Sequence, residues 1–172
     1  MEVWSGAERI DREWGRQVLP PFLKIGKDEK YAEEMVEVYR KERLGKLPSE
    51  PKDILDAFMT DLRFRIPAIR WAEAQSQHQS QVFSYLFTYK STAMNGILGA
   101  CHALEIPFVF GTLGEKKRGI YPPRSPETDR LSDMMMDAWT AFARKGNPTH
   151  QAIETWAPYE PTGRRTMILG ES

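Results

Sequence analysis

The sequence predicts an α/β fold that is mostly helical, with about two core strands and a sheet incomplete within this chain. Three observations carry that expectation. Apolar residues recur at helical spacing in several segments, most regularly at Leu131, Met134, Met135, Ala138, Trp139 and Phe142. Residues 82–89, VFSYLFTY, form a short run of β-formers too apolar for an edge position, as expected of a central, parallel strand. Residues 166–169, TMIL, read as a short last strand. Two isolated strands do not make a stable sheet, so this reading expects strand partners from outside the chain.

In chain order, Gly15, Pro20, Pro21 and Gly26 interrupt any long element in the first 27 residues. A first helix is expected from Asp28, with Tyr31, Met35, Val38 and Tyr39 as its apolar stripe. The loop 44–51 holds Gly45, Pro48 and Pro51 and ends it. A second helix should begin near Lys52 or Asp53, bury Ile54, Leu55, Phe58 and Leu62, and stop or kink before Pro67. Pro67 suits a first helical turn, so helix should resume there and reach about Gln77. After the strand 82–89 comes a loop with a histidine, then a Pro/Gly-rich stretch, 111–126. The long helix follows, with Gly146 and Pro148 as its stop signals.

Composition excludes several classes. The chain has 172 residues, the size of one domain, and is 41% hydrophobic and 28% charged, which is a folding composition. Lys plus Arg and Asp plus Glu balance at 24 each, and no basic block supplies a phosphate-neutralising surface, so no nucleic-acid partner is expected. No apolar run is long enough for a membrane span. Residues 1–11 lack the charged-then-apolar order of a signal peptide. One cysteine cannot build a disulfide framework, which favours a reducing compartment. Three scattered histidines offer no metal-ligand spacing.

The chemistry centres on Gly99-Ala100-Cys101-His102-Ala103-Leu104-Glu105, followed by the apolar run 106–110 that would dock the loop. A histidine is a general base only when one neighbour fixes its tautomer and another supplies a proton to take. From spacing alone, His102 reads as a hydrogen-bonded structural histidine in preference to a base, because spacing does not make a triad. Cys101 adjoins it, but adjacent side chains point apart, so a buried inert thiol is expected. His78 and His150 lie in polar segments and read as surface residues. Two of Met134, Met135 and Met136 lie on the helix stripe and read as core. Trp71 and Tyr121 read as exposed aromatics without a role.

The segment Gly99-x-x-His102-x-x-Glu105-Ile106-x-Phe108-Val109-Phe110-Gly111 resembles the catalytic-histidine segment of type-B carboxylesterases, the esterases, lipases and cholinesterases of the α/β-hydrolase fold. Residues 142–148, FARKGNP, resemble the end of that family's long C-terminal helix. Trp156-Ala157-Pro158-Tyr159 resembles its W-x-P-Y segment, and Arg165-Thr166-Met167 its final strand. Asp61, Pro67 and Tyr85-Leu86-Phe87 also fall where the family has similar residues. The resemblance spans nearly the whole chain but about the last third of a family member. It implies residues 1–172 are the C-terminal segment of one carboxylesterase domain.

The resemblance implies that His102 deprotonates a serine and then protonates the leaving alcohol. No serine of this chain stands in the G-x-S-x-G elbow that exposes such a nucleophile. The Gly-rich oxyanion loop and the triad acid are missing too. Met1-Glu2-Val3-Trp4 resembles the residues just after that acid, with Glu2 a solvated surface residue. Glu105 is expected either to hold the histidine loop in place or to be an ordinary loop carboxylate. Met59, Leu62 and Phe64 resemble pocket residues that would suit a hydrophobic ester, although packing explains them equally. The implied parent is a carboxylic ester hydrolase acting on small hydrophobic esters, without metal or organic cofactor, in a cytoplasmic setting. The chain alone is expected to be inactive and to pair with the N-terminal portion of the same fold. The competing expectation is a non-catalytic remnant that acts as an interaction or assembly piece.

Overall fold

The computed structural model describes residues 28–114, 119 and 121–170, and the readings on residues 1–27, Glu2 among them, lie outside the described residues. The chain divides into two compact units, Met1–Ala68 and Ile69–Ser172, each with its own core.

In the first unit, Asp28 caps helix α1 (Glu29–Arg43) by accepting a hydrogen bond from the Tyr31 amide at 2.8 Å. Ala32 and Val36 are buried against Ile54 and Phe58, with the expected Met35 and Tyr39, and Met59, half-buried around them. This corrects the stripe expected from the sequence. Tyr31 and Val38 are 46% and 57% exposed, because the inward face is marked by the small Ala32 rather than by the largest side chains. Helix α2 (Pro51–Thr60) starts on a capping box between Glu50 and Asp53, with Pro51 in its first turn. As expected, its regular α-helical course is interrupted before Pro67 and α-helix resumes there, reaching Ser76. A π-helical turn (Asp61–Arg65) follows directly and passes into α3 (Ile66–Ser76). Proline lacks the amide of a helical bond and its ring crowds the carbonyl four residues back. The wider π turn, in which the Ile66 amide bonds to the Asp61 carbonyl, moves the preceding carbonyls clear of that ring.

The π turn also places Asp61 to accept a 2.7 Å hydrogen bond from the Tyr39 hydroxyl. Burial first, then this bond and the Asp61 charge, hold the Tyr39 phenol well above its usual pKa. Below pH 10 the phenol is protonated in both folded and unfolded chains, and its contribution is complete. Above that, the unfolded chain ionises first and stability falls. Tyr39→Phe is therefore expected to cost about 1 kcal/mol at neutral pH and to flatten the loss of stability above pH 10, as read by urea melts at a series of pH values.

The second unit holds both described strands. β1 (Tyr85–Phe87) pairs in parallel with β2 (Met167–Leu169), Leu86 lying opposite Ile168. The ladder is bounded by the Met167 amide donating to the Ser84 carbonyl and the Thr88 amide to the Leu169 carbonyl. The parallel arrangement is as expected, but the strand is shorter than 82–89. The Val82 carbonyl accepts instead from the Tyr159 amide at 2.7 Å, which turns the chain out of the ladder. Among the described residues β1 has one strand neighbour, so the central position is not realised within them. Gly170 ends β2 with φ +127°, where any Cβ would run into the Tyr89 backbone nitrogen.

Two further helices follow β1 in the chain, the short α4 (Ile106–Val109) and the long α5 (Pro126–Lys145). Ser125 and Thr128 exchange capping hydrogen bonds, Pro126 occupies the first turn, and Gly146 ends the helix in the left-handed region at φ +70°. Met135 and Ala138 are fully buried, and Leu131, Met134 and Trp139 pack around them. Phe142 departs from the expected stripe at 47% exposure. Against this helix lie Leu104, Phe108, Trp156 and Leu169, which complete the core.

Candidate active site

The segment between β1 and α5 is built as an anchored loop. Ser91, 1% exposed, accepts from the Ala93 amide through its hydroxyl, and its own amide donates to the Gly99 carbonyl, so the loop closes on itself. Within it, Met94, Asn95 and Gly96 all adopt positive φ, so the segment Ala93–Gly96 is kinked and not regular helix. The chain then enters a tight turn in which the Leu104 amide donates to the Cys101 carbonyl at 3.1 Å. His102 and Ala103 are its two middle residues, and Ala103 has φ +68°, as the third position of a type II turn requires.

This turn decides where His102 goes. Leu104 is fully buried in the core, and Cys101 is half-buried against it. Both flanks are held inward, and His102 at the corner is exposed. Directly after, helix α4 (Ile106–Val109) buries Pro107 and Phe108. The Ser132 hydroxyl of α5, itself 3% exposed, donates to the Phe108 carbonyl at 2.8 Å. Gly111, at φ +65°, passes close to the Met136 sulfur, where a Cβ would sit 2.9 Å from it. The expected docking by the run 106–110 is thus realised, although Phe110 points outward at 71% exposure.

Glu105 sits at the N-cap position of α4. Its backbone carbonyl accepts from the Phe108 and Val109 amides, while its carboxylate makes no capping bond. Its charge is nonetheless felt by Tyr85. Burial first, and the Glu105 carboxylate second, raise the Tyr85 phenol above its usual pKa. Tyr85 also packs edge-on against Trp139 and Trp156, with ring centroids 5.1 and 6.5 Å away. A hollow of about 180 Å³ opens beside these rings, lined by Phe83, Phe142 and their neighbours. His102 is not on its wall, and neither are Met59, Leu62 and Phe64.

Met59 packs on the small core of the first unit, and Leu62 and Phe64 lie on the π turn at 37% and 45% exposure. Trp71 is exposed, but Tyr121 is half-buried against the second core, which corrects its reading as an exposed aromatic. His78 is exposed as expected. His150, expected at the surface, is half-buried. Its Nδ1 accepts from the Ala152 amide at 3.3 Å and its Nε2 is buried without a hydrogen-bond partner. Sequence reasoning missed Ser132 and Ala103, which contribute to the loop through a buried hydroxyl and a backbone angle. Among the described residues, no group of three or more His, Cys, Asp or Glu is placed to hold a metal ion. No helix among them is long and apolar enough to cross a membrane.

Comparison with known proteins places this architecture. Para-nitrobenzyl esterase of Bacillus subtilis is 41% identical over 113 residues, which cover 64% of this chain and 22% of that protein. Acetylcholinesterase of Gallus gallus is 32% identical over 125 residues, covering 71% of this chain and 16% of the relative. Among solved structures, a thermophilic para-nitrobenzyl esterase superposes with a TM-score of 0.63 at 29% identity, over 97% of this chain and 31% of that one. A carboxylesterase of Geobacillus stearothermophilus gives 0.63 at 26% identity, over 88% and 33%. The chain thus spans about a fifth of the curated relatives and a third of the solved ones, and its fold is that of α/β-hydrolase esterases. With residues 7–172 matching the family description along almost its entire length, the chain belongs to the carboxylesterase family.

Proposed function

We propose that this chain supplies the catalytic histidine of a serine-dependent carboxylic ester hydrolase, with the nucleophile, oxyanion loop and triad acid carried by a complementary N-terminal portion of the same fold. The observation that carries the reading is His102 itself, an exposed imidazole at the corner of a turn whose two flanks are held in the core. Family membership supports the chemistry. In it, the imidazole of His102 takes the proton of a serine hydroxyl as its oxygen attacks the ester carbonyl. The tetrahedral intermediate collapses to an acyl-serine, and the alcohol leaves with the proton returned by the imidazolium. Water, deprotonated by the same base, then releases the acid and restores the serine. No organic cofactor or metal enters this scheme. The substrates would be small hydrophobic esters, with Met59, Leu62 and Phe64 as candidate apolar contacts. Glu105 is a candidate for holding the histidine loop.

A second reading, an interaction or assembly piece without catalysis, is favoured by the sheet. Among the described residues β1 is paired on one edge only, and the cross-strand neighbours Leu86 of β1 and Ile168 of β2 are 39% and 45% exposed. One experiment separates the two readings from a self-sufficient enzyme. The purified 172-residue chain and its His102→Ala variant are assayed on a short-chain p-nitrophenyl ester, with sedimentation run alongside. No turnover in either protein is expected. Turnover lost in the variant would mean that a whole site resides here and would overturn the proposal. A monomer at every concentration, with a cooperative melt, would count against the assembly reading.

A further inference from the structure

We propose that Ala103 is a positioning residue for His102, a reading that rests on the proposed role of His102 as the general base. Four non-glycine residues have positive φ among the described residues, and three of them, Met94, Asn95 and Ala103, fall in the loop that carries His102. Left-handed backbone is unfavourable for an L-residue and free for glycine, so it persists only where the surroundings over-determine it, and it gathers at functional sites. Asparagine tolerates it by its own side-chain hydrogen bonding. Alanine has no such compensation. Here the surroundings are explicit: Leu104 is fully buried immediately after Ala103, Cys101 packs on the same core before His102, and the Leu104 amide closes the turn on the Cys101 carbonyl.

The turn is therefore held by its flanks against the preference of Ala103, and the methyl group removes the slack that a glycine would restore. The consequence falls on the neighbouring residue. With Ala103 confined to one well, the backbone at His102 is held in one orientation, which fixes the Cα–Cβ direction from which its imidazole projects. A base that must lie within hydrogen-bond reach of a serine on another part of the fold gains from that restriction, because misplacement by about 1 Å can cost about 100-fold in rate.

The test uses the full chain and two variants, Ala103→Gly and Ala103→Asn. Glycine accepts φ +68° without strain, so the melting temperature of Ala103→Gly should hold or rise by about 2 °C. Its ¹⁵N order parameter at the His102 amide should nonetheless drop from the rigid range of about 0.85 toward 0.6. Ala103→Asn tolerates the left-handed region while keeping a side chain, and should retain the rigid value. A residue with only a structural role would move stability and order in the same direction, whereas positioning moves them apart. An unchanged His102 order parameter in Ala103→Gly, or a parallel drop in melting temperature, would overturn the proposal. Neither result bears on whether His102 is the base, which the loss or survival of hydrolysis in His102→Ala decides separately once the chain is combined with the N-terminal portion of an esterase of this fold.

Discussion

Phe108→Ala should cost about 3–5 kcal/mol of stability in the second unit, read as a lower urea midpoint with an unchanged slope. Phe108 is fully buried, and its ring lies 5.2 Å from that of Phe87 and 5.1 Å from that of Tyr89. It joins the strand region to α5 through side chain and backbone together, because its carbonyl takes the Ser132 hydroxyl bond. Truncation leaves a cavity between two layers that cannot close without moving α4, and α4 follows the His102 turn directly. The control is two residues away. Phe110 is 71% exposed, and Phe110→Ala should change stability by no more than about 0.5 kcal/mol. Equal effects at the two positions would mean that the loop is not docked through Phe108.

The long helix was legible because its signals agree. Ser125-Pro126 opens it, an apolar stripe runs along it, and Gly146 and Pro148 close it, so pattern and caps point to one element. The first helix was legible in extent but not in face. Helical spacing put Tyr31 and Val38 on one stripe with Met35 and Tyr39, but the residues packed against α2 are Ala32 and Val36 with Met35 and Tyr39. Pro67 marked the interruption correctly, and only its form, a π turn, was not legible. A proline forbids regular α-helix four residues back, but one π turn satisfies the same constraint without ending the helix. The run 82–89 has the composition of a longer strand, yet the ladder is limited by where β2 begins and where Tyr159 takes the Val82 carbonyl.

At the candidate site, the position of His102 on a docked loop was readable from the apolar run after it. What was not readable is how the loop is held. A buried serine bonded to a carbonyl 24 positions away leaves no local pattern. An alanine in the left-handed region looks like any other alanine. His150 illustrates the reverse error. Its neighbours are polar, but the bridge between His150 and Ile153 folds the ring inward.

The most direct test of the account is hydrolysis after complementation. The chain is mixed with the N-terminal part of Bacillus subtilis para-nitrobenzyl esterase, cut before the region matched here, and p-nitrophenyl acetate turnover is followed for wild type and His102→Ala. The account predicts no turnover from either part alone and turnover from the mixture. It also predicts a loss of about 1,000-fold or more in kcat for the variant, since a serine without its base retains only what binding and the oxyanion hole provide. Turnover in the mixture that survives His102→Ala at full rate would contradict it.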